Sequence, residues 1–164
     1  MSRPVAQSPS RQVPAPPTQV SMTVRAAIGV ADVARIAAAV IRAEHATGAA
    51  MSITFVGPAR MRTLNREHLG KDRATDVIAF ALSRPPVPPS PRPTVVGDIY
   101  ICPAAAAQNA RRFGTTVRDE TRRLVVHGVL HVLGYEHPDT GDRTRSAMWH
   151  VQERHLATIA RGAR

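Results

Sequence analysis

The sequence predicts an α+β domain in which helices pack on a small mixed β-sheet, and three observations lead there. Short stretches at 51–56, 75–82 and 95–102 have the length and composition of β-strands. Between and after them lie segments of helical period with recognisable starts and stops. One of these, from Thr116 to Leu133, is apolar on nearly every side, as a helix buried at the centre of a domain must be. No internal repeat is present, and the strand order is not readable from the sequence.

The elements follow in order. Residues 1–21 are rich in Pro, Ser and Gln and poor in bulky apolar groups, so they cannot bury enough surface to offset the entropy of ordering. They are predicted to be a disordered tail, and residues 22–164 a single domain. A short strand is expected within Val20 to Ile28, then a helix from Asp32, as N-cap, to a stop at Gly48, with Val33, Ile36, Ala37, Val40 and Ile41 on its apolar face. Met51 to Val56 alternates as a half-buried strand does, and Gly57-Pro58 turns the chain into a helix ending near Gly70. Strands at Thr75–Leu82 and Val95–Cys102 flank a proline-rich stretch from Arg84 to Pro93 that can join neither ladder nor helix and is expected as a surface loop. Pro103 opens a helix that Gly114 ends, Thr116 with Asp119 caps the apolar helix, and a last helix is expected from Asp139 to Ile159. Met148 and Trp149 fall on its core face, and His68, His150 and His155 read as surface or packing residues.

Composition bounds the function. At 164 residues the chain suits one domain, and its lone Cys102 excludes an intrachain disulfide framework. The longest early apolar candidate, Ala31 to Ala43, is interrupted by Asp32, Arg35 and Arg42, so no membrane span is expected and the cytoplasm is the natural compartment. The formal net charge of +10 attracts polyanions, although all but one of the basic residues are arginine, a usage that genome composition can also produce.

The chemistry concentrates in His127-Gly128-Val129-Leu130-His131-Val132-Leu133-Gly134-Tyr135-Glu136-His137. Residues four apart on a helix share a face, so His127 and His131 point together. Gly134 can end the helix in a left-handed turn, after which three residues suffice to return His137 to the same point. Two imidazoles in an apolar helix each need a partner to offset desolvation, and one zinc ion supplies it to both. Three nitrogen ligands with a fourth position free is the catalytic rather than the structural zinc arrangement, and zinc brings the pKa of water to about 7. Hydrolysis is the implied reaction class. The spacing also resembles the zinc proteases with His-Glu-x-x-His-x-x-Gly-x-x-His, but Gly128 stands where their Glu acts as base, which makes peptide hydrolysis the runner-up. Glu136, Asp139 or Asp98 are the carboxylates that could substitute. Glu136 also reads as a solvated turn residue. Asp98 is either the carboxylate that orients a ligand imidazole or a turn former after Gly97.

Three segments together resemble the YbeY endoribonucleases, or rRNA maturation factors, over roughly residues 24–160. They are Leu64-Asn65 with Gly70-Lys71-Asp72, Thr75-Asp76-Val77 and Phe80; Gly97-Asp98-Ile99 with Ile101-Cys102; and the histidine segment with Glu120, Leu124 and Val126 before it. The resemblance implies a zinc-dependent, single-strand-specific endoribonuclease that takes part in maturing the 3′ end of small-subunit (16S) rRNA and in ribosome quality control. It implies one zinc held by His127, His131 and His137, and as partners rRNA and the small subunit, with ribosomal proteins and an assembly GTPase. Leu69 stands where many members carry an arginine thought to act on the phosphate. Arg66 or Lys71 is the expected substitute, each with a plain surface charge as the alternative. Ala74 for Pro and Glu136 for Asp are milder departures. A non-enzymatic assembly factor with structural zinc remains the third reading.

Overall fold

Alternation of side chains along the strands decides the architecture. In the computed structural model, which describes residues 18–46, 48–83, 95–138 and 142–162, β1 (Gln19–Met22), β2 (Ala50–Phe55), β3 (Val77–Ser83) and β4 (Val95–Ile101) form one sheet in the order β1-β2-β4-β3. The first three of these neighbours are parallel, and β3 runs antiparallel to β4, which makes the sheet mixed as expected. In register, Ile53, Ile99 and Ala79 lie side by side, as do Phe55, Ile101 and Val77, so one face of the sheet is continuously apolar. That face meets α1 (Val30–Ala43) and α4 (Val117–Val132), with Val33, Ile36, Val40, Val125, Val129 and Leu130 completing the main core. The other face carries a smaller cluster of Ile78, Phe80 and Tyr100 against Met61 and Leu64 of α2 (Pro58–Leu69). The helices α3 (Pro103–Phe113) and α5 (Ala147–Gly162) pack against α4, which is therefore surrounded.

Two glycines let α4 lie close on β4. A Cβ at Gly97 would come within 2.3 Å of Val132 and 2.9 Å of the Phe80 carbonyl, and one at Gly128 within 2.6 Å of Ile99. Position 128 thus faces the sheet, so the residue type that separates this helix from the zinc-protease pattern is also the one that the packing demands.

Several expected boundaries move. The patterned domain starts before Met22, because Gln19, Val20 and Ser21 already pair with Ser52, Ile53 and Thr54; β1 ends at Met22 and does not continue toward Ile28. Helix α1 starts at Val30 with Gly29 as its N-cap, which places Asp32 in the first turn, where its charge favours the helix dipole and its side chain pairs with Arg35. The helix stops at Ala43, before Gly48. The final helix starts at Ala147, after a single 3-10 turn over Arg143–Arg145, instead of at Asp139. Gly70 and Gly114 end α2 and α3 with φ of 67° and 66°, and the Thr116 hydroxyl accepts from the Asp119 amide at 3.0 Å, all as the sequence suggests. The tail before residue 18 and the proline-rich stretch from Arg84 lie outside the described residues. Among the described residues no helix is long and apolar enough to cross a membrane.

Candidate metal centre

Helix α4 delivers His127 and His131 one turn apart, and its ending delivers the third imidazole. Tyr135 N–H donates to the Leu130 carbonyl and Gly134 N–H to that of His131, both at 3.0 Å, with Gly134 at φ 93°. This pair of bonds satisfies the last helical carbonyls and reverses the chain, returning His137 to the helix face. The Nε2 atoms of His131 and His137 then lie 3.0 and 3.4 Å from Nε2 of His127. Zinc–nitrogen bonds of about 2.0–2.1 Å at tetrahedral angles place their nitrogens roughly 3.3 Å apart, so the spacing fits one ion.

The tautomers are fixed from outside. Nδ1 of His127 lies 2.9 Å from Gln152 Oε1, whose own amide nitrogen is directed at Glu153, and Nδ1 of His137 lies 3.1 Å from the Pro138 carbonyl. A carbonyl oxygen only accepts, so both rings carry their proton on Nδ1 and keep a lone pair on Nε2. His131 has a hydrogen bond to the backbone of Tyr135 that favours its protonated form, as a bond to a carbonyl does. Burial pulls His127 down from 6.5 to about 4 against the opposing bond to Gln152, and burial likewise lowers His131. Three imidazoles whose Nε2 atoms converge on one point form a ligand set without a thiolate or carboxylate, suited to zinc among the common metals.

Around the triad runs an open cleft of about 540 Å³ whose walls include Leu69, Thr75, Asp76, Glu136 and Arg143. Glu136 is exposed at this rim, beside His131. Leu69 faces the same cleft, so the position without an arginine borders the site. Neither expected substitute reaches it. Arg66 is exposed and directed 3.7 Å from Asp72, on the flank of α2 where Arg62 also holds that carboxylate, and Lys71 is exposed in the following loop and absent from the cleft wall. Among the described residues the cation that lines the cleft is Arg143, in the turn before α5, near enough to His131 to act on its charge.

Asp98 is not brought to the triad. Gly97 and Ile99 point at α4, so Asp98 between them points to the opposite face of the sheet, paired in register with Phe80. The orienting groups are Gln152 and main-chain carbonyls instead. Sequence reasoning also passed over Asp76, just before β3, which lines the cleft with both carboxylate oxygens engaged: Oδ1 accepts from the Thr75 hydroxyl and Val77 N–H, Oδ2 from Asn109. Its signal was the Thr75-Asp76-Val77 segment. Upstream, the buried Asn65 donates to the Arg73 carbonyl at 2.7 Å, fixing the loop that carries residues 70–75 past the site. Cys102 is buried in the smaller core, away from ligand duty.

A sequence model of the family described as Endoribonuclease YbeY matches residues 19–160. The chain belongs to the YbeY family. It is 35% identical over 127 residues to an Endoribonuclease YbeY of Pelotomaculum thermopropionicum, covering 76% of this chain and 82% of that one. It is 43% identical over 111 residues to one from an Anaeromyxobacter species, where the match covers 68% of this chain but only 56% of the longer relative. The solution structure of TM1509 from Thermotoga maritima shares the fold at a TM-score of 0.60, with 23% identity, over 89% of this chain and 91% of that one.

Proposed function

We propose that the chain is a zinc-dependent, single-strand-specific endoribonuclease of the cytoplasm that matures the 3′ end of small-subunit rRNA and takes part in ribosome quality control. Its partners in this reading are the small subunit with its rRNA, ribosomal proteins and an assembly GTPase. The observation that carries it is the convergence of three Nε2 atoms in an open cleft with a cation on its wall, in a chain of the YbeY family.

His127, His131 and His137 would hold one zinc. When bound, that ion supplies a Lewis acid that makes water nucleophilic near neutral pH and polarises a phosphoryl oxygen. Arg143 binds the phosphate and offsets the negative charge that grows on its oxygens in the transition state, the task for which Arg66 and Lys71 are misplaced. Of the carboxylates on the cleft wall, Asp76 has its oxygens occupied by Thr75, Val77 and Asn109, so a carboxylate oxygen of Glu136 accepts the proton of the attacking water. Gly128 leaves no acid at the position where zinc proteases place one, and its packing on Ile99 admits none, which weighs against a peptidase.

The test is cleavage of a 3′-extended small-subunit rRNA fragment, single-stranded or annealed to its complement, by zinc-loaded protein and by His131→Ala purified identically. Cleavage of the single strand by the wild type alone is expected. Equal cutting by both proteins, or none by either, would overturn the reading.

A further inference from the structure

Beside the triad, between α3, α4 and α5, lies a second cavity of about 290 Å³ that shares Asp76, His127, His137 and Arg143 with the metal cleft. The two spaces are therefore neighbours. At this volume, near the lower end of small-ligand sites, it suits one ring system rather than an extended ligand. Its lining combines aromatic faces with a polar edge. Trp149 is half-buried on its wall with the Arg123 guanidinium 5.4 Å from its ring. Phe113, at the end of α3, is 66% exposed, so it adds little to the core from where it sits.

The polar edge formed by Asn109 and the carboxyl groups behind it is distinct from the Arg123 and Arg143 side of the cavity. The amide nitrogen of Asn109 donates to Asp76 Oδ2 at 2.9 Å and to Glu120 Oε1 at 3.3 Å. Both of its hydrogens are thus directed at carboxyl groups, and what Asn109 can offer a ligand is its carbonyl oxygen. Asp76 and Glu120 hold the Asn109 amide nitrogen in place, so the group this edge presents to a ligand is the Asn109 carbonyl acceptor. A flat ring with a donor on its rim, next to an anion held by Arg143, matches this cavity.

We propose that the cavity is a nucleobase subsite for a nucleotide adjoining the scissile phosphate, and that it prefers a base carrying an exocyclic amino group over uracil. The proposal rests on the endoribonuclease reading and deepens it. A base can enter only when unpaired and splayed from its neighbours, so occupancy of this pocket gives a physical reason for acting on single strands. Cytosine and uracil make the cleanest comparison, since they share size and shape and differ on one edge, where cytosine projects an amino donor beside an N3 acceptor and uracil sets a recessed N3–H between two carbonyls.

Trp149 is the only tryptophan of the chain and lines the cavity, so its fluorescence reports occupancy directly. Titration with cytidine 5′-monophosphate, uridine 5′-monophosphate and ribose 5-phosphate is the experiment, with RNA cleavage measured on the same preparation. Saturable quenching by the cytidine nucleotide is expected, about five-fold tighter than by the uridine nucleotide, as one net hydrogen bond allows. Ribose 5-phosphate should not quench. Phe113→Ala should weaken cytidine nucleotide binding about ten-fold through lost stacking, and Phe113→Tyr should restore it. Equal responses to all three compounds, or no saturable response, would overturn the subsite. If the protein cuts RNA and the nucleotides fail, the subsite falls and the nuclease reading stands. If cytidine nucleotide binds with the expected preference and no RNA is cut, the subsite stands as a nucleotide site and the nuclease reading falls.

Discussion

His127 on α4 and His155 on α5 both sit against the core, and they meet the cost of burial in opposite ways. His155 is buried with its Nε2 2.6 Å from Glu44, a carboxylate that also accepts from the Tyr135 hydroxyl at 2.6 Å and lies near Arg154. Every member of that network has a protein partner, and it ties the end of α1 and the turn before His137 to α5. His127 is held by Gln152 through Nδ1, and its Nε2 lies 3.0 and 3.4 Å from Nε2 of His131 and His137, a gathering of three like nitrogens at the spacing of metal ligands. The difference separates a polar cluster built for stability from one built for a ligand: the first joins carboxylate, hydroxyl and imidazole in complementary roles, the second gathers three imidazole nitrogens on one point.

The contrast can be broken at several places. The largest effect is expected from His131→Ala, which should abolish stoichiometric zinc and RNA cleavage while leaving the zinc-free fold intact, read by metal analysis, cleavage assay and circular dichroism. Arg143→Ala should slow cleavage about 100-fold with zinc content unchanged, as loss of one transition-state contact does, whereas Arg66→Ala should act within a few-fold. Gln152→Leu removes the acceptor that sets the His127 tautomer and should weaken zinc about 10- to 100-fold in a competition titration with a chelator. Glu44→Ala should do the reverse of His131→Ala, lowering unfolding stability in urea by about 1–3 kcal/mol with one zinc still bound.

Acid should separate the two regions as well. His127 is held near 4 by burial, below its ordinary 6.5, so between those values the unfolded chain binds the proton first and the zinc-free protein loses stability as pH falls. Burial raises Glu44, but its bonds from Tyr135 and His155 prevail and hold it below 4.5. Its contribution is present above 4.5 and lost as pH falls through the lowered value. Urea unfolding of zinc-free protein across pH 7 to 4 should therefore weaken first through His127 and His131, both lowered by burial, and the double variant His127→Ala with His131→Ala should remove that first limb while retaining the lower one.

The triad was legible in the sequence because everything that makes it is local: two histidines four apart, a glycine that turns left-handed, and a third histidine within the turn's reach. The sheet and its mixed character were legible from length and alternation. What failed depends on facing and on distance in the chain. Asp98 sits on a strand covered on both faces, so its sequence cannot say which face it takes, and the close packing of Gly97 and Gly128 decides against the triad. Arg143 was hidden because the segment after His137 reads as one helix from Asp139, whereas Asp142 caps a short turn that places Arg143 on the cleft wall. Asp76, Asn109, Glu120 and Gln152 meet only through the packing of β3, α3, α4 and α5. Glu44 and His155, 111 residues apart, could not have been paired by any spacing rule.

The most direct test of the metal centre is a stepwise titration of zinc into metal-free protein with bound metal and RNA cleavage read on the same samples. Cleavage should rise in proportion to bound zinc and level off at one ion per chain, with His131→Ala flat in both readings. Full cleavage before any zinc is added, or a His131→Ala protein that binds and cuts like the wild type, would contradict the account.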